Sequence, residues 1–183
     1  YETALTIHKK DRFKQLAVEI GLSSPQSASF IDAESALSHL STIDSKMIVK
    51  PVDGCAGMGI TQVETFAQCG QAVRDAFRGS IAGKIVVEPF IEGQLHSASS
   101  FLINQKSVFL FVEEGFTKPT NDHGVMAAIS PAGDKSLIEE KLTGEVEKVA
   151  QKLKLVDGEI HMNFIVDRDG GIHILEMHRR CTG

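Results

Sequence analysis

A glycine-rich stretch, Lys50-Pro51-Val52-Asp53-Gly54-Cys55-Ala56-Gly57-Met58-Gly59, says most about the fold. It follows Met47-Ile48-Val49, a predicted strand, and precedes Ile60–Glu64, a predicted returning strand. Glycines let backbone amides converge on an anion, and the neighbouring lysine adds a positive charge. The glycine spacing is not that of a P-loop, and the strand that follows excludes the dinucleotide-binding fingerprint, which opens a helix. The stretch predicts a phosphate-covering loop between two strands, with an ordinary glycine-rich hairpin as the alternative.

The segments on either side of this loop mix helices and strands. Apolar residues at helical spacing predict helices over Asp11–Gly21, Asp32–Leu40, Phe66–Gly79 and Leu137–Leu155. Apolar runs predict further strands over residues 84–88, 95–103, 108–113, 159–167 and 172–177. Between them, Gly115–Gly124 is predicted as a long polar loop. Because the elements do not alternate strictly between strand and helix, the expected fold class is α+β.

A second segment, Val86–Gly93, runs from a buried strand through Glu88 into a turn. Pro89 has no N–H but keeps its C=O, which can accept a hydrogen bond from an exocyclic amine. Ile91 keeps its N–H and can donate. The segment therefore suits the recognition of an adenine by backbone groups, although an ordinary strand end has the same residues.

The last two predicted strands form a hairpin whose turn is Arg168-Asp169-Gly170-Gly171. A four-residue turn there places Asn163 opposite Glu176 and His161 opposite His178, with all four on one face. A carboxylate on such a face needs a cation or an arginine partner. Carboxylate and amide oxygens suit Mg²⁺, and the imidazoles leave Mn²⁺ or Zn²⁺ open. A solvated sheet face is the alternative.

In this order, the three segments resemble the ATP-grasp superfamily, the nucleotide-binding core of carbamoyl-phosphate synthetase, biotin carboxylase and D-alanine–D-alanine ligase. The resemblance runs from Asp11 to Gly183 and ends on Glu176-Met177-His178-Arg179-Arg180, where the family has Glu-x-Asn-x-Arg. It implies an α+β ATP-grasp fold of two subdomains with the nucleotide cleft between them. The implied division is a helical start over 1–41, a small lid over 42–87 and a larger sheet-and-helix subdomain over 88–183.

The resemblance also implies a set of site residues. The ATP-binding residues would be Arg12, Lys50, Gly54, Gly57, Gly59, Glu88, Pro89, Ile91 and His96. The metal ligands would be Glu176, Asn163 and His178, holding Mg²⁺ or Mn²⁺, and the catalytic group would be Arg180, which steadies charge on the transferring phosphoryl group. Asn163 stands where the family usually has an acid, and His178 stands where it has asparagine.

The implied activity is that of an ATP-dependent ligase. It would join a carboxylate to an amine or a thiol through an acyl phosphate, with release of ADP and phosphate. The two departures favour a second reading, an ATP-binding module with a weakened metal site and no ligase activity. A third reading is a transition-metal hydrolase built on His161, Glu176 and His178.

The composition limits the partners. The formal net charge is −5, from 19 basic and 24 acidic residues, which gives no basic footprint for nucleic acid. No run approaches the length of about 18 apolar residues that indicates a membrane span. Three cysteines without paired spacing favour a reducing, cytoplasmic location. We expect small-molecule carboxylate and amine substrates and further N-terminal and C-terminal domains of the same chain, and we leave a homodimer open.

Overall fold

The computed structural model describes residues 2–54, 57–117, 125–130 and 135–180. The helices are α1 (Glu2–His8), α2 (Lys10–Ile20), α3 (Ala33–Leu40), α4 (Phe66–Gly79) and α5 (Ser136–Leu153). The strands are β1 (Ala28–Phe30), β2 (Met47–Pro51), β3 (Thr61–Val63), β4 (Ile85–Pro89), β5 (Gly93–Ile103), β6 (Lys106–Thr117), β7 (Val125–Ile129), β8 (Gly158–Asp167) and β9 (Ile172–His178). Over the described ranges, every helix is too short or too polar to cross a bilayer.

The first sheet, with its helices, forms what we call the small lobe, residues 28–89. Its strand order is β1-β4-β2-β3, and its paired strands are antiparallel. Helices α3 and α4 cover one face, where Val49, Val73 and Ile85 are fully buried. Both helices begin with caps: Asp32 Oδ1 accepts from the backbone N–H of Ser35 at 2.7 Å, and α4 begins with a capping box. The opposite face of this sheet presents Lys50 and Glu88.

The second sheet, together with α1, α2 and α5, forms what we call the large lobe. Its strand order is β7-β6-β5-β8-β9, again with antiparallel pairs. Side chains such as Ala98, Met162 and Ile174 point into a core with α2 and α5. Asn163 and Glu176 lie on the other face, since strand residues alternate and each of the two neighbours a core residue, Met162 or Met177. The predicted α+β fold is confirmed.

Helix α2 joins the two lobes. Its apolar side, with Phe13 fully buried, packs in the large-lobe core. Its polar side contacts the small lobe through ion pairs between Lys9 and Asp53 at 3.1 Å and between Asp11 and Lys84 at 2.6 Å. The predicted segment 1–41 therefore contributes to both cores, and its boundaries stay a prediction.

Most of the predicted elements are present within a few residues of their expected ends. The expectation of a loop from Gly115 is wrong for residues 115–117, which continue β6 and pair with β7. Three elements were not predicted: α1, the three-residue β1, and β7. The rest of the predicted polar loop, residues 118–124, lies outside the described residues, as do residues 55–56 of the glycine-rich stretch.

The terminal hairpin has the predicted pairing at its functional end and a different turn. Asn163 pairs with Glu176, and His161 pairs with His178, as expected. The four-residue turn is wrong: Asp167 pairs with Gly171, whose C=O accepts its N–H at 2.9 Å, and three residues form the loop. Gly170 takes the left-handed conformation that such a loop needs, with φ of 81°. A bulge between Asn163 and Phe164 then restores the predicted register.

Candidate functional site

Two lysines from different lobes meet at one buried carboxylate. Lys50 on β2 and Glu88 on β4 share a sheet face, and Lys14 reaches them from α2. Lys50 Nζ donates to Glu88 Oε1, and Lys14 Nζ lies 3.2 Å from Glu88 Oε2. Lys14 also donates to Ser24 Oγ at 2.9 Å. The exposed fractions of Lys50, Glu88 and Lys14 are 5%, 3% and 4%, so this charge cluster is almost fully removed from solvent.

The charges in this cluster shift one another's pKa values. Burial alone would raise the pKa of Glu88, but Lys50 and then Lys14 outweigh it, and the pKa lies below its ordinary value. Burial lowers the pKa of Lys14 to about 8, although Glu88 opposes the shift. The carboxylate therefore stays ionised, whereas Lys14 is an ammonium that gives up its proton readily.

A third lysine, Lys10, connects the glycine-rich loop to the terminal hairpin. Its Nζ donates to the backbone oxygen of Gly54 at 2.9 Å and lies 3.5 Å from Glu176 Oε2. Burial lowers the pKa of Lys10, and Glu176 opposes the shift. One ammonium group therefore contacts the small-lobe loop and the large-lobe carboxylate at the same time, so the loop base and the hairpin face one cleft.

Glu176 has three donors around it. Asn163 Nδ2 donates to its Oε1 at 3.0 Å, His178 Nε2 lies 3.4 Å from the same oxygen, and Lys10 lies at Oε2. Burial would raise the pKa of Glu176, but the hydrogen bond with His178 and the charge of Lys10 outweigh it and hold the pKa well below its usual range. The side chain keeps 26% of its surface exposed. This carboxylate is thus ionised and still open to a ligand.

Two more histidines surround this end of the sheet. Ser99 Oγ and His161 Nδ1 are 3.0 Å apart, and His161 is buried. The ring of His8 lies 5.3 Å from that of His178. Burial lowers the pKa values of both His8 and His161, and the charges of His178 and Arg180 lower that of His8 further. Arg180 lies two residues beyond the end of β9, and its charge acts on His8, so it belongs to this end of the cleft.

Two predicted ATP-binding residues do not join the cluster. Arg12 forms an ion pair with Glu2 at 3.0 Å and is 45% exposed. His96 lies on the core face of β5, with its ring stacked on Phe164 at 5.3 Å. Helical geometry turns Arg12 away from the side that carries Lys10, and strand alternation puts His96 opposite to Asn163. The structure therefore places these two side chains away from Lys50 and Glu176, and their assignment to ATP binding stays a prediction.

The predicted glycines form the base of the loop. Gly57 and Gly59 have φ of 76° and 71°, a conformation that side chains disfavour. A Cβ at Gly54 would lie 2.8 Å from Cγ of Pro51 and 3.1 Å from the Met58 oxygen. The backbone therefore packs closely on the proline ring at the end of β2, and a side chain at Gly54 would push it away.

The predicted adenine segment borders a cleft of about 620 Å³ between the lobes. Phe90, Glu92 and Gly93 line it from the connection that also carries Pro89 and Ile91. The small lobe adds Lys46 and Gln62, and the large lobe adds Gln94 and Val166–Arg168. The cleft is large enough for a purine base and ribose.

The site fits a hard cation better than a transition metal. Among the residues that the structure describes, no group of three or more His, Cys, Asp and Glu side chains is arranged to hold a metal ion. His161, Glu176 and His178, on which the hydrolase reading depends, do not form such a group. Mg²⁺ commonly uses one or two carboxylates and takes its other ligands from substrate phosphates and water. The ionised, partly exposed Glu176 meets that requirement, whereas the imidazole of His178 is a poor ligand for Mg²⁺.

Sequence reasoning missed Lys10 and Lys14. They lie four residues apart on α2, and therefore on one side of the helix. Two lysines at that spacing beside the buried Phe13 are a weak signal, since a solvated charged face has the same pattern. Only the packing of α2 between the lobes puts them at the carboxylates.

Known proteins were compared with this chain by sequence and by structure. A family model described as an ATP-grasp domain matches residues 8–183. The arginine-specific carbamoyl phosphate synthase large chain of Bacillus subtilis is 24% identical over an alignment of 184 positions, which covers 100% of this chain and 17% of the relative. Phosphoribosylamine–glycine ligase of Lactococcus lactis is 25% identical over an alignment of 182 positions, which covers 93% of this chain and 44% of the relative.

A solved structure with a similar fold is the biotin carboxylase domain dimer of 2-oxoglutarate carboxylase from Hydrogenobacter thermophilus, in complex with MgADP, ADP and bicarbonate. It matches with a TM-score of 0.80 at 19% identity, over 97% of this chain and 40% of that one. The chain thus spans less than half the length of each of these three proteins. Because the family model covers nearly every residue, and the fold agrees, this protein belongs to the ATP-grasp family.

Proposed function

We propose that this chain binds ATP between its lobes and supports the ATP-dependent ligation of a carboxylate to an amine or a thiol. The observation that carries the proposal is Lys10, whose buried ammonium contacts both Gly54 in the glycine-rich loop and Glu176 on the terminal hairpin. A cation held at the meeting point of a glycine loop and an acidic strand suits a triphosphate.

The phosphates would lie among Lys10, Lys50 and the backbone of the glycine-rich loop. These ammonium groups are already buried and fixed, so little ordering is needed when an anion arrives. The adenine would lie in the cleft at the lobe connection, with the C=O of Pro89 and the N–H of Ile91 reading its edge. Glu88 is occupied by Lys50 and Lys14, so we assign its side chain to holding these lysines rather than to the base.

Glu176 would hold the divalent cation that accompanies ATP. A divalent cation held there would offset part of the negative charge of the triphosphate. Arg180, next to the end of β9, would stabilise negative charge on the phosphoryl group during transfer. Lys10 keeps Glu176 ionised and adds positive charge on the side of the glycine-rich loop.

In the proposed reaction, a carboxylate oxygen attacks the γ-phosphorus and the bond to the β-phosphate oxygen breaks, which releases ADP. An amine or thiol then attacks the acyl carbon, inorganic phosphate leaves with the electron pair of the C–O bond, and the nucleophile loses its proton. The named relatives support this reaction class, since one of them is a phosphoribosylamine–glycine ligase. The chain's own residues do not identify the acid or the nucleophile.

Calorimetric titration with Mg²⁺ and a non-hydrolysable ATP analogue tests the nucleotide site. We expect wild type to bind and Lys50→Ala to lose at least about tenfold in affinity, since a charged hydrogen bond contributes about 1.5–3 kcal/mol. Lys152→Ala is the matched control, because this lysine pairs with Glu19 on the surface of the large lobe. Equal affinity of wild type and Lys50→Ala, with both folded by circular dichroism, would contradict the phosphate role.

A second candidate is an ATP-binding module without ligase chemistry. The neutral Asn163 in place of a family acid favours it, because the site then has one negative charge less for a metal. This reading expects ATP affinity that hardly responds to Mg²⁺. It also expects no ADP release with any mixture of carboxylates and amines, whereas the ligase reading expects release that needs both substrates.

A further inference from the structure

The residues that follow α2 attach the end of this helix to the edge of β9. Gly21 ends the helix in the left-handed conformation, with φ of 65°, and Leu22 then enters the large-lobe core. The backbone N–H of Ile174 donates to the C=O of Ser23 at 2.7 Å, on the side of β9 that faces away from β8. This short segment therefore holds the end of α2 against the strand that carries Glu176.

The hydroxyl of Ser24 lies between the main chain of β9 and a buried lysine. Ser24 Oγ donates to the C=O of Ile174 at 2.7 Å, and Lys14 Nζ donates to Ser24 Oγ at 2.9 Å. A hydroxyl has one proton to donate and two lone pairs to accept with, so it serves both partners at once. Because hydrogen bonds in a chain polarise one another, each of these two strengthens the other. Both depend on this one hydroxyl.

Lys14 continues the chain of contacts into the small lobe. Its ammonium lies 3.2 Å from Glu88 Oε2, and the other oxygen of that carboxylate accepts from Lys50. All three side chains belong to residues that are at most 5% exposed, and a buried hydrogen bond is electrostatically stronger than one in water. The contacts thus run without a break from Ile174 on β9, through Ser24, to the lysine that we assign to the phosphates.

The two ends of this chain of contacts lie at the two groups that ATP would meet together. Glu176 lies two residues beyond Ile174 on β9, and Lys50 lies on β2. The cation at Glu176 and the phosphates at Lys50 would be parts of one ligand, so the spacing of the two side chains has to match that ligand. Such groups need to be held within about 0.5 Å of the productive geometry by the contacts that support them.

We infer that Ser24 is a positioning residue for nucleotide binding, and that its hydroxyl, through Lys14, sets the distance between Lys50 in the small lobe and Glu176 in the large lobe. This inference rests on the proposed function, since it concerns the ATP and the cation that bind there. Lys10 also spans the two lobes, but we assign it to the phosphates. The contacts of Ser24 and Lys14 are made entirely within the protein.

A purely structural role of the hydroxyl makes a different prediction. Its loss would then lower the free energy of unfolding and leave the binding properties of the folded protein unchanged. The ratio of nucleotide affinities with and without Mg²⁺ separates the two roles, because it measures how strongly the cation and the phosphates are coupled. Both affinities are measured on the same protein, so any unfolded fraction cancels from the ratio.

The experiment measures this ratio by calorimetry with the non-hydrolysable ATP analogue, with Mg²⁺ or with a chelator. In Ser24→Ala we expect the ratio to fall severalfold, whereas Ser24→Thr keeps the hydroxyl and should retain the wild-type ratio. Ser23→Ala is the matched control and should also retain it, because Ser23 contacts β9 and Glu145 through its backbone. An unchanged ratio in Ser24→Ala, or an equal fall in Ser24→Thr, would overturn the inference.

A double-mutant cycle tests the path through Lys14. In a Lys14→Met background, Ser24→Ala should leave the ratio where Lys14→Met has already put it, because the hydroxyl acts through that ammonium. A further fall as large as the one that Ser24→Ala causes in wild type would show that the hydroxyl acts by another route, and the inference would be wrong.

Binding of the ATP analogue to wild type is measured first. Absence of binding overturns the proposed function, and the inference falls with it. Binding that Mg²⁺ does not strengthen favours the ATP-binding module without ligase chemistry and also overturns the inference. Binding that Mg²⁺ strengthens equally in wild type and in Ser24→Ala overturns the inference alone.

Discussion

The site has two acidic side chains with opposite kinds of surroundings. Glu88 is 3% exposed and holds two lysines, so its charge is satisfied inside the protein. Glu176 keeps a quarter of its side chain exposed and shares its oxygens among an amide, an imidazole and one lysine. The difference indicates that Glu88 holds the lysines in place, whereas Glu176 is the acid that a ligand can reach.

Removing the charge of Glu88 should have the largest effect. Glu88→Gln leaves Lys50 and Lys14 buried without a counter-ion, and breaking a buried pair costs about 3–5 kcal/mol. We expect a loss of that size in the free energy of unfolding, measured by urea denaturation. A loss below about 1 kcal/mol would show that Glu88 does not anchor the lysines and would remove the contrast with Glu176.

Raising the pH tests the same cluster through Lys14. Its pKa is about 8 in the folded protein and near 10.5 when unfolded, so between these values the unfolded chain binds more protons. The free energy of unfolding should therefore rise with pH across this window, by up to about 3 kcal/mol at about 1.4 kcal/mol per pKa unit. Lys14→Met should flatten this rise in urea titrations. An equal slope in both proteins would mean that Lys14 does not titrate in this window.

Lys10 and Arg12 allow a comparison on one helix. Lys10→Gln should weaken binding of the Mg²⁺–ATP analogue about tenfold to a hundredfold, since charged hydrogen bonds contribute about 1.5–3 kcal/mol. Arg12→Gln should leave the affinity unchanged, because this side chain pairs with Glu2 at the surface. Calorimetry on both variants tests whether Arg12 binds the phosphates, as the family resemblance implies, or lies outside the nucleotide site, as the structure has it. The reverse result would restore Arg12 to the site.

The smallest effect on stability is expected for Glu176→Gln. The amide keeps an oxygen for Asn163, and 26% of the side chain is exposed, so the free energy of unfolding should fall by less than in Glu88→Gln, where two almost fully buried lysines lose their counter-ion. The same variant should remove the Mg²⁺ dependence of nucleotide binding. If it instead destabilises the protein as much as Glu88→Gln, the two acids have the same role.

The parts of the site that depend on local geometry could be predicted from the sequence. A hairpin brings residues together by short-range pairing, so two strands and a turn predicted that Asn163 faces Glu176. The shorter turn alone would have shifted this pairing by one residue, and the bulge between Asn163 and Phe164 compensates for it. That Lys50 lies beside the glycine-rich loop could be predicted in the same way, from its position at the end of a strand and before the glycines. Sequence order was also enough for the α+β class, because the apolar periodicities were clear.

The parts that depend on how distant elements pack could not be predicted. Lys14 and Glu88 are far apart in sequence, and no periodicity tells which side of α2 meets the small lobe. His96 was placed at the nucleotide because of its position in the family pattern, but the pairing of β5 with β8 turns it to the core face. Strand β1 has three residues, too few to show a period, and depends on β4 for its existence.

The way in which α2 is attached has a consequence for how the cleft opens. One side of the helix is held by buried apolar side chains, and added salt does not weaken this packing. The other side is held by the Lys9–Asp53 and Asp11–Lys84 ion pairs. Dissolved ions screen exposed charges over distances of about 10 Å at 0.1 M, and they screen partly buried pairs such as these two less strongly. Ionic strength therefore acts on these two pairs before it acts on the buried Lys14–Glu88 pair, which also holds α2 to the small lobe, so salt loosens the rim of this joint and leaves its centre intact.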